Sequence, residues 1–254
     1  MILYFVNMKI AIYTVLTGGY ENLMQPLVCN EHFDFICFSN DIFQDQVGVW
    51  QIKKFAGRFP NKQLESRYPK MHPWIILSEY EYSVYMDANI RIVSQNFYHL
   101  ILQKIKTGVQ ISGIKHPFRN CLYLEGYEVI SYGLENFRAV IHEMRFIHQE
   151  GFPRRFGMYE ANIILRKHAD EKIQKQCELW WKMINRYSKR DQLSYSYTLW
   201  KFDIDFDYLI PENQSARNCP WLYMKKHVRM KNIWGKQFKR IGKFLYRKII
   251  GYAK

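Results

Sequence analysis

Short β-rich apolar runs alternate with helical stretches along the first two thirds of this chain, and that alternation confines it to an α/β architecture. Lys9–Leu16 reads as a buried strand, followed by the tight turn Thr17-Gly18-Gly19-Tyr20. Phe33–Phe38 and Val49–Lys53 read as the next two strands, and Gln63–Tyr80 as a helix broken at Pro69 or Pro73. Tyr82–Met86 is a strand that delivers Asp87-Ala88-Asn89 at its end, and Gln110–Ile114 is another, leading into the polar loop His116–Asn120. Glu135–Gln149 and Asp170–Tyr187 are helical by spacing, Glu160–Leu165 is β-like, and Arg190–Trp200 is amphipathic. Asp203–Leu209 is expected to close the domain as a strand. The expected division is a domain over 8–212 and a basic segment over 213–254.

Charge supports that division. The last acidic residue is Glu212, and of the 37 Lys and Arg residues twelve lie beyond it, leaving 25 basic against 23 acidic residues before it. The formal charge of +14 is therefore a property of the tail. Five cysteines, Cys29, Cys37, Cys121, Cys177 and Cys219, form no CxxC pair, which argues against a zinc site or a disulfide framework and suits a reducing compartment. Met1–Asn7 is apolar but lacks a basic region and is short for a signal peptide, with Met8 an alternative start. No apolar run approaches the ~18 residues that span a bilayer, so the expected location is cytoplasmic, soluble or peripheral.

Asp87 and Asn89 stand two residues apart at a strand end, where a carboxylate and an amide carbonyl can face one point. Such hard oxygens suit Mg²⁺ or Mn²⁺ on a diphosphate, whose charge grows as a glycosidic leaving group departs. Acidic residues end many strands, so this pattern gains meaning only from its company. Gly18 and Gly19 follow the first strand, where an open α/β sheet binds its ligand, and Tyr20 beside them could stack on a base. Thr17 opens the same turn. Lys62, Arg67 and Lys70 form a basic cluster that could hold diphosphate oxygens or simply line an exposed helix face.

The order Thr17-Gly-Gly-Tyr20, Lys62…Ser66-Arg67-Tyr68…Lys70, Tyr85-Met-Asp87-Ala-Asn89-Ile90 and Lys115-His116-Pro117…Arg119…Cys121…Tyr123…Glu125 resembles a known family. It is the glycosyltransferase-like family of plant mucilage and cell-wall polysaccharide synthesis, with bacterial relatives among polysaccharide-assembly enzymes. Tyr159-Glu160-Ala-Asn-Ile-Ile-Leu-Arg166-Lys-His168 and Arg190-Asp191-Gln192 look like its later blocks, so the resemblance runs from about Lys9 to about Trp200. It implies a single GT-A-type (Rossmann-like) nucleotide-diphospho-sugar transferase domain with a mixed central sheet. Asp87 and Asn89 would occupy the metal motif, where Asn89 departs from the usual Asp-x-Asp and weakens the site. His227 would match a late histidine that related enzymes place on the metal, against the plainer reading of a solvated side chain in a basic tail. Asp191-Gln192 is similar to the Asp-Gln pair that lies beside the anomeric carbon in glycogenin-like retaining transferases. Glu160 is a rival acid/base, and a carboxylate acting there would imply inversion. His116 and Arg119 are candidate acceptor contacts.

Within the tail, Trp234, Phe238, Ile241, Leu245, Ile249 and Tyr252 recur at helical spacing, while Lys236, Lys239, Arg240, Lys243 and Arg247 fall opposite. That pattern suits an amphipathic helix on anionic lipid, or a helix docked on the domain. The expected partners are a nucleotide-diphospho-sugar, a saccharide or lipid-linked acceptor, and an anionic membrane surface. Nucleic acid is not expected, since the basicity crowds into one tail and no ribonucleoprotein, KH or finger motif is legible. A catalytically silent scaffold of polysaccharide assembly is the competing reading, and no GxSxG pattern supports hydrolysis.

Overall fold

A computed structural model describes residues 8, 10–19, 23–225 and 236–251. Its centre is an eight-stranded mixed sheet in the order β3-β4-β2-β1-β5-β8-β7-β9. The strands are β1 (Ile10–Val15), β2 (Phe33–Phe38), β3 (Gln46–Val47), β4 (Trp50–Lys53), β5 (Tyr82–Met86), β7 (Ile111–Lys115), β8 (Tyr159–Lys167) and β9 (Asp207–Tyr208). β4, β2, β1 and β5 run parallel, and β8 lies antiparallel between β5 and β7. Strands covered on both faces read as unbroken apolar runs, and every residue of β1 and β5 is buried. This is the mixed α/β sheet expected from the sequence.

Alternate residues of each strand feed opposite faces. Ile10, Ile12, Phe35 and Val84 pack with Phe97, Tyr98, Ile101 and Ile105 of α3 (Gln95–Lys106). Tyr13, Ile36 and Tyr85 pack on the other face with residues of α1 (Lys62–Met71), α6 (Glu171–Arg186) and α7 (Gln192–Lys201). A third cluster joins α4 (Leu122–Tyr132), α5 (Phe137–Gln149), α7 and α8 (Lys236–Ile250).

The local chemistry explains several boundaries. Asn61 caps α1 by accepting from the Leu64 N–H at 2.9 Å. The expected break falls at Pro73, because the residue before a proline is steered out of the helical region: His72 has φ −129° and ψ 48°. Pro69 stays inside α1, and the short α2 (Pro73–Ile76) ends before Tyr80. Two helices were not foreseen. α3 starts at the Ser94 cap, and α4 ends on Gly133 at φ 66°. The closing strand shrinks to Asp207–Tyr208 at the sheet edge, since Ile204 and Phe206 turn inward to the α6–α7 core.

The basic segment is tied to the domain on which it packs. β10 (Leu222–Met224) pairs antiparallel with β6 (Ile90–Ile92), immediately after Asp87. α8 docks on α4 and α5 through Gly242, Tyr246 and Ile250. Tyr246 donates to the Tyr123 carbonyl at 2.6 Å, and Arg247 reaches the Tyr127 hydroxyl at 2.6 Å. A Cβ at Gly242 would stand 2.9 Å from the Phe137 Cβ, so glycine permits the close helix crossing. Among the described residues no helix is long and apolar enough to cross a membrane.

Glu143 on α5 is fully buried, and burial pushes its carboxyl well above the ordinary 4.5, with Ser194 and the Ser188 backbone offsetting only part of the cost. A raised acid favours the fold fully below pH 4.5, and that contribution is lost as pH rises toward the folded value. Glu143→Gln is therefore expected to stabilise the protein near pH 7 by about 1–3 kcal/mol and to change little near pH 4. Melting curves at both pH values check this, and equal shifts at both would exclude the ionisation argument.

Candidate functional site

The site lies over the carboxyl ends of the parallel strands, on either side of β1, where the chain order switches direction. At one corner the turn after β1 places Gly18 at φ 73° and Gly19 at φ 61°, left-handed backbone that glycine adopts at little cost. The Gly18 N–H donates to Asp41 Oδ2 at 2.5 Å, and Thr17 Oγ1 donates to the Lys62 carbonyl at 3.1 Å. Lys62 Nζ pairs with Asp41 at 2.8 Å and Glu65 at 3.0 Å. The Lys62 partnership and the Gly18 N–H hold Asp41 below the usual carboxylate range. Lys62 thus ties α1 to the loop after β2, and the turn's backbone donor meets a carboxylate. Tyr20 lies outside the described residues.

α1 carries the other two cations to the centre. Lys70 Nζ meets Asp191 Oδ2 at 2.5 Å, Arg67 Nε approaches the same oxygen at 3.3 Å, and Lys70 stands 4.0 Å from Asp87 Oδ1. Lys70 is also sandwiched against the rings of Tyr85 (4.6 Å) and Trp180 (5.6 Å). Burial alone would raise Asp191, but Arg67 and Lys70 outweigh it and hold the carboxyl far below its ordinary value. An acid so firmly ionised is a weak proton acceptor. Asp191 also caps α7 by accepting from the Gln192 N–H at 3.1 Å, and its carbonyl accepts from Trp180 Nε1 at 2.9 Å.

Asp87 follows β5 directly. Its N–H donates to the Asn162 carbonyl at 2.9 Å, Tyr85 donates to its Oδ1 at 2.8 Å, and its side chain keeps 30% exposure. Asn89 is buried, and its Nδ2 donates to the Lys225 carbonyl at 2.8 Å, two residues before His227. His227 lies outside the described residues. Among the described residues no three His, Cys, Asp or Glu side chains gather as a metal cage. Mg²⁺ and Mn²⁺ need none where one or two carboxylates and substrate phosphates suffice, and the part-exposed Asp87 fits that mode. The bond to Lys225 uses the donor nitrogen of the Asn89 amide, whereas a cation would take its carbonyl oxygen.

Glu160 enters from β8, where the register against β7 jumps between Gly113 (opposite Ile164) and Ile114 (opposite Glu160). Bulges of this kind re-aim side chains at site rims. Glu160 forms an ion pair with Arg217 and accepts from Asn162 Nδ2 at 3.1 Å. Burial raises its pKa, Arg217 opposes that, and the charge of Asp87 adds to the rise. Gln192 braces the same bulge from α7: its Oε1 accepts from the Ala161 N–H at 3.1 Å and its Nε2 donates to the Tyr159 carbonyl at 2.5 Å. Both ends of the Gln192 amide are thereby committed to the strand backbone.

His116 and Arg119 form the remaining wall. His116 Nδ1 accepts from the backbone N–H groups of Phe118 (3.3 Å) and Arg119 (3.0 Å), which orders the loop. Burial, with Arg119 and Arg217 nearby, pushes the imidazole down to about 4, so it is neutral at physiological pH. Arg119 pairs with the buried Glu125 at 2.7 Å. Direct contacts therefore join Arg67, Lys70, Asp87 and Asp191, while Arg217 pairs with Glu160 and acts on His116, which holds the Arg119 backbone, and Thr17, Gly18, Gly19 and Lys62 form a corner linked to the first group through α1. Sequence reasoning missed Asp41, Tyr85, Trp180 and Arg217. Tyr85 lay in the quoted Asp87 block and was legible there, whereas Arg217 read only as tail charge.

A family model described as TOD1/MUCI70, glycosyltransferase-like domain, matches residues 21–219. The chain belongs to the TOD1/MUCI70 family. The match covers Lys62, Arg67, Lys70, Asp87, His116, Arg119, Glu160, Asp191 and Gln192, and it reaches past 212 to include Arg217. The TOD1/MUCI70 domain gives the chain a glycosyltransferase-like role, and with it a sugar donor and an acceptor in general terms. No curated protein matches the chain.

Proposed function

We propose that this TOD1/MUCI70 protein moves a hexosyl or uronosyl group from a nucleotide-diphospho-sugar to a saccharide or lipid-linked saccharide, as one step in building a surface polysaccharide such as a capsule, lipopolysaccharide or exopolysaccharide. The observation that carries the reading is Asp87, part-exposed at the end of β5, with the α1 cations Lys70 and Arg67 beside it and Glu160 across the sheet end. On this reading the donor lies over the glycine turn and α1. A divalent ion, Mn²⁺ or Mg²⁺, would be held by Asp87, with the Asn89 carbonyl oxygen and His227 as the further proposed ligands, and would neutralise the departing diphosphate. Glu160, re-aimed by the bulge and raised by burial against the opposing charge of Arg217, takes the proton from the acceptor hydroxyl as general base. Asp191 fixes Lys70 and Arg67 beside the diphosphate, Gln192 holds the Glu160 strand, and His116 and Arg119 contact the acceptor. Five free thiols, four of them buried, support a reducing cytoplasmic setting.

A thermal-shift panel of nucleoside diphosphates and nucleotide-sugars, with and without Mn²⁺, tests the donor site. A ligand at about 100 times its Kd adds about 2.7 kcal/mol to native stability. The expected outcome is one nucleotide class that raises Tm by several degrees with Mn²⁺ present, lost in Asp87→Asn. No shift with any nucleotide would overturn the enzyme reading in favour of a silent scaffold.

A further inference from the structure

The docking of α8 exposes a surface that donor chemistry does not use. The helix buries Gly242, Tyr246 and Ile250 against α4 and α5, so the face that holds it to the domain is offset from its main apolar stripe. Along that stripe Ile241 is 45% and Ile249 44% exposed, with Leu245 half-buried between them, and Phe244 beside it is 66% exposed. Three large apolar side chains on one short helix, uncovered after the helix has already found its seat, are a persistent solvation cost for a surface meant only to face water.

Beside Phe244 an open concavity of about 430 Å³ is lined by Ser131, Lys239, Arg240, Lys243, Phe244 and Arg247. Four of the six are cations and none is acidic. No acidic residue follows Glu212 in the chain, so nothing within the segment itself neutralises them. Tyr127 fixes two of these cations: Arg247 bonds its hydroxyl, and Lys243 stands 5.3 Å from its ring. The basic groove and the apolar stripe are therefore held in a set orientation by the domain, and do not depend on a tail that orders only on contact.

We propose that α8 seats the domain on an anionic lipid bilayer, with Ile241, Phe244 and Ile249 entering the acyl boundary and the Lys239–Arg240–Lys243–Arg247 groove taking lipid phosphates. Charge complementarity selects this occupant. A bilayer offers apolar depth and a sheet of negative charge together, and each basic side chain near such a surface adds to the attraction. The site would place the protein on the inner face of the membrane, where a lipid-linked acceptor would be within reach, although the argument stands independently of the sugar chemistry.

Flotation of the full chain with phosphatidylcholine vesicles and with phosphatidylglycerol-rich vesicles tests it. Binding to the anionic vesicles alone, weakened by added salt, is expected. Phe244→Glu, and separately the pair Lys239→Glu with Arg240→Glu, should each reduce binding by about tenfold or more. Phe244 and Arg240 are exposed and Lys239 half-buried, so Tm within a few degrees and an unchanged nucleotide response are expected. Equal binding to neutral vesicles, full binding by either variant, or no binding by the unaltered chain would overturn the proposal. So would a dimer in sedimentation equilibrium that Phe244→Glu converts to monomer without any vesicle binding, since the stripe would then be covered by a second copy.

Discussion

Asp87→Asn is expected to lose about 10²–10³-fold or more in sugar transfer, the range for removing a group aimed at developing charge, while the fold persists. The substitution keeps the volume and an oxygen that still accepts from Tyr85, whose hydroxyl now sits 2.8 Å from Asp87 Oδ1. It also keeps the backbone bond to the Asn162 carbonyl that sets the strand end. What disappears is the negative charge. Lys70 remains paired with Asp191, so no new buried cation is orphaned. Stability and activity should therefore separate: Tm within a few degrees of the unaltered chain, turnover collapsed, and the Mn²⁺-dependent nucleotide shift lost with it. Turnover at the original rate in Asp87→Asn would remove the metal and diphosphate role from this residue.

Asp191→Ala should behave in the opposite way, as a failure of the fold first. Its carboxyl is the shared counter-charge of Lys70, 2% exposed, and Arg67. Removing one partner of a buried pair leaves an uncompensated charge and costs roughly 3–5 kcal/mol. For a chain of this size that lowers Tm by roughly 6–20 °C. Because the acid is depressed in the folded state, its contribution is complete above its ordinary value of 3.8 and is lost only as pH falls below that value. The double variant Asp191→Leu with Lys70→Met should recover part of the stability without activity, since apolar replacements of a buried pair are often neutral or better, while Arg67, 24% exposed, keeps only the charge of Asp87. Calorimetry on the single and double variants decides this. A single variant that melts with the unaltered chain would mean that the pair is not the anchor argued here.

The sequence carried the parallel half of the sheet well. β1 and β5 are buried throughout and β2 everywhere but at Asp34, so their apolar runs stand out without any partner being known. It also marked Asp87 and the α1 cations, because a strand end and a helix face are local features. α3 and α4 are marked more faintly, by the Ser94 cap, the Gly133 terminus and the helical spacing of Phe97, Tyr98, Ile101 and Ile105.

Roles that depend on a distant partner were not legible. Lys62 was grouped with Arg67 and Lys70 by spacing, yet it faces Asp41 while the other two face Asp191. The place of Gln192 beside Asp191 is legible in the sequence, but not that its amide bonds the Ala161 N–H and the Tyr159 carbonyl at the bulge in β8. Arg217 counted as one of twelve tail cations until the return of β10 to β6 set it against Glu160. The amphipathic stripe of the tail was visible, but not which face of the helix would be buried, because that depended on a groove between α4 and α5 close enough to admit only glycine at 242. By itself the sequence determined the elements, the strand-end acid and the segregation of charge, all set by periodicity and residue chemistry within a few positions. Only the tertiary structure decided which charge meets which, because a buried ion pair or a committed amide is defined by two segments brought together from distant parts of the chain, here 121 residues apart for Lys70 and Asp191.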